Sequence, residues 1–214
     1  MIEFLAALAA FLLAHSIPAR AGLRARAVAA VGERTYLLLY SLLSIALLAW
    51  LISAAVRAPT ILLWPTELWS YHLALTLMLP ASWLLVGGLI TPNPLSISLS
   101  RRPYDPARPG LAGWVRHPVL WGFALWAGVH AIANGDLVAL IMFGGFLLFS
   151  LGGVAIVDRR RRRQLGAEWE RLKPTSHRWT LGQLAATFGG GTMLYFALLH
   201  AHPLWGPDVA AVLS

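Results

Sequence analysis

Residues 115–136 read VRHPVLWGFALWAGVHAIANGD, an apolar segment with a histidine near each end and aromatic residues between them. Its length suits a helix that crosses a bilayer, which needs ~20 apolar residues. Read so, Arg116, His117, His130 and Asp136 are polar groups in or beside hydrocarbon, where such groups are costly and usually functional. The segment therefore decides the fold class and is the first place to look for chemistry.

The rest of the chain agrees with a membrane reading. Of 214 residues, 58% are hydrophobic and 12% charged, ten are Trp, and mean hydropathy is +0.66. A soluble domain carries about 25% charged residues. Apolar runs recur at 2–19, 36–56, 71–90, 114–133, 137–157 and 185–200, with Pro and Gly punctuation between them and no alternating strand pattern. The expected fold is all-α: one integral membrane domain over residues 1–214, a polytopic transmembrane helical bundle of about six spans. Residues 1–14 lack the basic leading region of a cleavable signal and read as the first span.

Every Lys and Arg except Arg57 falls in alternate loops, around 20–34, 101–116 and 159–178. Basic loops stay in the cytoplasm, so both termini are expected in the periplasm and the protein in a bacterial inner membrane, with the lipid bilayer as its first partner. The net charge of +8 is explained by this topology, without a nucleic-acid partner. Arg159 to Arg163 read as a topology anchor or a contact for anionic lipid. Residues 164–173 read as a short amphipathic helix at the membrane surface.

There is no cysteine, so disulfides, thiolate metal sites and a cysteine nucleophile are excluded. Seven histidines are present: His15, His72, His117, His130, His177, His200 and His202. His177 lies in a basic loop. The other six lie in or at the ends of expected spans, and in a thiol-free chain they are the natural ligands for haem or another transition metal. His117 and His130 are separated by ~220° of rotation and ~20 Å of rise on one helix, so they cannot ligate one iron together. Pro118, Gly122, Trp126 and His130 form one stripe, in which Gly122 admits a close helix or a flat ring; the stripe is either helix packing or a cofactor wall. By depth, His15 groups with His117 near the cytoplasmic side, and His130 with His72, His200 and His202.

Carboxylates are few. Asp136 is placed to cap the fifth span after an Asn134-Gly135 turn, and Asp158 to pair with the arginines that follow. There is no paired-carboxylate site, Ser-His-Asp spacing, Gly-rich phosphate loop or HExxH. Redox or cofactor-assisted chemistry is left.

AHSIPAR at 14–20, VGERTY at 31–36, the RHP-to-NGD segment at 116–136 and DRRRRRQLGAEW at 158–169 together resemble the NnrU family of bacterial membrane proteins over most of the chain. That family is associated with denitrification and nitric oxide metabolism and is similar to the plant 15-cis-zeta-carotene isomerase. The resemblance implies one haem b held by two histidines, one in a His-Ser pair on the first helix and one closing a W-x-x-x-H segment. The matching positions are His15 and His130, with His117 as the alternative ligand and Gly122 and Trp126 as cofactor neighbours. It further implies that a redox change at iron frees a coordination position and assists rotation about a polyene double bond, in an apolar substrate that enters from the bilayer. It identifies no redox partner.

R-H-P before an apolar helix, followed by a basic segment ending in L-G-x-E-W, is also similar to membrane methyltransferases of the isoprenylcysteine carboxyl type. There His117 belongs to an S-adenosylmethionine pocket closed by residues 158–169. The chain departs from that pattern at Asp158-Arg159, where paired glutamates are usual. A third reading is a non-catalytic accessory factor for nitrogen-oxide respiration, which requires neither cofactor.

Overall fold

A computed structural model describes residues 1–16, 21–204 and 206–207. Pro18 and Arg20, which set the expected depth of His15, and Ala19, the expected end of the first span, lie outside the described residues. Among the described residues, helix is the sole regular structure apart from an isolated antiparallel bridge between Leu62 and Asp136. Four helical runs are long and apolar enough to cross a membrane: Glu33–Arg57, Leu68–Ile90, Leu137–Leu165 and Leu181–Leu204.

Contacts divide the chain into two compact units, Met1–Leu63 with Asp136–Met142, and Trp64–Gly135 with Phe143–Ser214. In the first unit α1 (Ile2–Ser16) packs on α3 (Glu33–Arg57), burying Phe4, Ala7, Leu8, Leu51 and Ala54. Glu3 accepts hydrogen bonds from Arg57 at 2.6 Å and from the Trp50 indole at 3.2 Å. Much of α3 stays uncovered, with Leu38 60% and Ile45 65% exposed. Such a continuous apolar surface suits lipid rather than water.

Between these helices lies α2 (Ala21–Val31), where the sequence reading had only a basic loop. Its alanines and arginines are strong helix formers. A search for ~20-residue apolar runs passes over it. Gly32, at φ 82°, separates α2 from α3 in a conformation that glycine adopts without steric cost.

The second unit contains α4 (Leu68–Ile90), α5 (Pro118–Asn134), most of α6 (Leu137–Leu165), α7 (Glu168–Arg171), α8 (Leu181–Leu184) and α9 (Gly190–Ala201). A π turn at Ala185–Gly189 joins α8 to α9. The last apolar segment is thus helical from Leu181 and longer than the expected 185–200. The helix expected from 114 begins instead at Pro118, because the residue before proline is pushed out of the helical region, as His117 is at φ −117°, ψ 61°. Gly135, at φ 67°, ends it, and the Asp136 carboxylate caps α6 by accepting from the Ala139 amide at 2.9 Å.

Helix α6 does not stop at 157. It carries all five arginines and ends before Gly166, at φ 51°, so the expected surface helix over 164–173 shrinks to α7. Between α4 and α5, contact is close because of Gly122. A Cβ there would lie 2.8 Å from Leu85 Cγ and 3.0 Å from the Ala81 carbonyl oxygen. Small residues of this kind let helix backbones approach in membranes.

Candidate functional site

Three histidines, one each on α1, α5 and α9, share one local geometry. His15 Nδ1 lies 2.8 Å from the Phe11 carbonyl oxygen, His130 Nδ1 2.8 Å from that of Trp126, and His200 Nδ1 2.8 Å from that of Phe196. A carbonyl only accepts, so in each neutral ring Nδ1 carries the proton and donates it, while Nε2 keeps its lone pair. Metal-bound histidines are fixed in this way, with the non-ligating N–H held by a carbonyl.

Surroundings separate the three. In the first unit the half-buried His15 ring packs on Phe11, with centroids 4.1 Å apart, and edge-on to Tyr40 at 6.0 Å. In the second unit His130 sits in an aromatic box. Its ring centroid is 5.3 Å from that of Trp126 and 5.0 Å from that of Phe143, and Trp126 stacks on Phe146 at 5.8 Å. His202 approaches His130 with centroids 6.4 Å apart. His72 and His200 are exposed on their unit. Of the expected cluster of four, the described ring contacts therefore join His130 with His202. Among the described residues no group of three or more His, Asp or Glu side chains is placed to hold a metal ion.

Gly122 lies in the stripe beneath Trp126, but its open side is filled by Ala81 and Leu85 of α4. The notch admits a helix. Trp126 remains the residue of the stripe that forms a wall with His130.

His117 has a different environment. It is 3% exposed, and both ring nitrogens are engaged: Nε2 lies 2.7 Å from Asp158 Oδ1 and Nδ1 2.8 Å from Ser96 Oγ. Arg116 binds the other Asp158 oxygen at 2.8 Å; a carboxylate accepts, so His117 Nε2–H donates to Asp158, and in the neutral ring the Ser96 hydroxyl donates to Nδ1. Asn93 donates to the Arg116 carbonyl at 2.9 Å, and Arg161 to the Ser96 carbonyl at 3.0 Å. Trp169 is buried under Arg162 and Arg116, whose guanidinium carbons lie 5.1 and 5.7 Å from its ring. The loop after α4, the start of α5 and the end of α6 are thereby tied together.

The sequence offered no Ser-His-Asp spacing, yet Ser96, His117 and Asp158 form one hydrogen-bonded chain. Its members are 21 and 41 residues apart, so no local spacing could disclose it. Ser96 is 0% exposed and cannot meet a substrate, so the chain works as a brace rather than a nucleophile. An axial metal bond at His117 Nε2 would displace Asp158. The methyltransferase reading places His117 in a cofactor pocket; here the ring is 3% exposed with both nitrogens engaged. Asn93, Ser96 and Arg161 were missed by sequence reasoning; polar residues spaced between prolines after α4 were the available signal.

Over residues 3–209 the chain matches the family described as NnrU protein. No curated protein and no solved structure matches it.

Proposed function

The chain belongs to the NnrU family, and on that premise we propose that it is a six-span inner-membrane protein, both termini periplasmic, that binds haem b through His15 and His130. The observation that carries the reading is that these two rings combine an Nδ1 tied to the carbonyl four residues earlier, a bond the exposed His200 also makes, with a half-buried place among aromatic side chains, leaving Nε2 to bind iron. In a cysteine-free chain these are the donors that haem iron takes. Helices α1 and α5, with 15 and 17 residues, make the two shorter crossings. At ~1.5 Å per residue they fall short of a ~30 Å core, a mismatch that local thinning of the bilayer absorbs.

When bound, haem supplies a redox-active iron that takes nitric oxide or assists isomerisation of a polyene such as zeta-carotene. The chain's own residues do the rest. Trp126 and Phe143 hold the His130 ring in place, and with Phe146 they keep water from it. The carbonyls of Phe11 and Trp126 hold the two Nδ1 protons, which fixes the tautomer and orientation of each ring and leaves Nε2 the more basic donor. The exposed apolar faces of the helices give an apolar substrate a route from the bilayer.

The test is the absorption spectrum of the detergent-purified protein, oxidised and reduced, after expression with ample haem. A Soret band at about one haem per chain is expected. Its absence would leave the non-catalytic accessory reading. With haem present, shifts on adding nitric oxide, set against isomer analysis after incubation with zeta-carotene, separate the two activities.

A further inference from the structure

The end of α4, residues 102–108 and the start of the Leu181–Leu204 run enclose a cleft of about 270 Å³ in the second unit. Its walls include Thr91, Arg102, Tyr104, Arg108, Thr180 and Gln183. Most of their polar atoms are spent within the fold. Thr91 Oγ1 donates to the Gly87 carbonyl, Thr180 Oγ1 accepts from the Gln183 amide at 3.2 Å, and Gln183 Oε1 accepts from the Thr180 amide at 2.8 Å. Gln183 Nε2 donates to the Arg108 carbonyl at 2.9 Å, which fixes the backbone of Arg108.

Three groups remain. Among the described residues the Tyr104 hydroxyl is buried with no hydrogen-bond partner, and neither Arg102 nor Arg108 enters an ion pair. A buried hydroxyl left unmade costs about 1–3 kcal/mol, and in folded proteins such a group is normally met by water or a ligand. Burial, with Asp105 beside it, pushes the Tyr104 phenol up to about 12, so it stays a donor at any physiological pH. Asp105 also lines the cleft, but its Oδ1 accepts from the Ala107 amide at 2.9 Å, and two guanidiniums outweigh its charge. Two cations and a neutral O–H donor around a small cleft match a phosphate group.

The source of the phosphate follows from position. Ile90 and Ala186 line the same cleft, and they belong to two runs long and apolar enough to cross a membrane. On the membrane-spanning reading of those runs, the cleft lies at the end of α4 and the start of the last run, where spans reach headgroup depth. We propose that it binds the phosphate of an anionic phospholipid headgroup, held by Arg102, Arg108 and the Tyr104 hydroxyl. The proposal is independent of haem.

The test is native mass spectrometry of the full-length, delipidated protein titrated with phosphatidylglycerol, phosphatidylcholine or inorganic phosphate. One phosphatidylglycerol per chain is expected to bind well above the other two. Arg102→Gln and Arg108→Gln should each weaken it about tenfold, as loss of a charge-assisted hydrogen bond does. Tyr104→Phe should weaken it without lowering the melting temperature of the lipid-free protein, since it removes an unpartnered hydroxyl. Arg26→Gln, on α2, should leave it unchanged. Equal binding of phosphatidylcholine, preference for free phosphate, or undiminished binding in Tyr104→Phe together with both arginine variants would overturn the proposal.

Discussion

Asp158 Oδ1 lies 2.7 Å from Nε2 of His117, 41 residues earlier in the chain, and this bond makes the buried imidazole a brace between α5 and α6 rather than an open ligand. Because Ser96 takes the other nitrogen, the ring has no lone pair to offer without breaking the fold. His130, thirteen residues further on, has its Nδ1 tied to its own helix and its Nε2 outside that bond. Two histidines of one apolar segment thus have different surroundings.

Asp158→Ala is expected to lower stability by about 1–3 kcal/mol, because the His117 Nε2–H loses its acceptor in a buried position. Thermal unfolding in detergent measures it. Asp158→Asn, which keeps an acceptor oxygen but loses the charge facing Arg116, should fall between the two. An unchanged melting temperature in Asp158→Ala would show that the brace contributes nothing.

Gly122→Ala and Gly128→Ala, on the same helix, should act in opposite directions. At Gly122 the new methyl meets Leu85 and Ala81, and overpacking costs about 1–3 kcal/mol. At Gly128 nothing lies within 4 Å of the added Cβ, and helix propensity favours alanine by up to about 1 kcal/mol. The same melting assay reads both, and a shared sign would contradict the α4–α5 packing described.

Tyr104 gives the second unit an alkaline limit. Its folded value of about 12 stands above the ordinary 10. The stability that this supplies is fully present below pH 10 and is lost as pH rises through about 12, where the folded form must also ionise. Melting temperatures of wild type and Tyr104→Phe should therefore diverge above pH 10, with the wild type falling faster. Parallel curves would refute the burial of that hydroxyl.

His202 is the most demanding control for the haem reading, since its ring stands 6.4 Å from that of His130. His202→Ala and His200→Ala should keep the Soret band and its reduced-state position. Loss of the band in His202→Ala would move the second ligand from the first helix to the end of α9.

The fold class was legible because it rests on local composition. Runs of ~20 apolar residues mark α3, α4, α6 and the last helical run directly, and Asp136 announced the cap of α6 by its place after Asn134-Gly135. Helix α2 escaped because alanine and arginine favour helix without making an apolar run. The start of α5 was missed because Pro118 was counted with the apolar segment, although it fixes a boundary. His15 and His130 are proposed as donors from residue type and resemblance, and their Nδ1 bonds to the helix are what the structure adds. The Ser96–His117–Asp158 chain could not be read from the sequence, since its partners meet only after α4, α5 and α6 have packed.

The pairing of His15 with His130 is tested most directly by oxidised and reduced absorption spectra of the purified wild type beside His15→Ala, His130→Ala and His117→Ala, each checked for helix content. We expect a six-coordinate haem b spectrum in wild type, its loss or conversion to a five-coordinate form in His15→Ala and His130→Ala, and an unchanged spectrum in any folded His117→Ala. A spectrum that survives both of the first two substitutions, or that is lost in His117→Ala alone, would contradict the assignment.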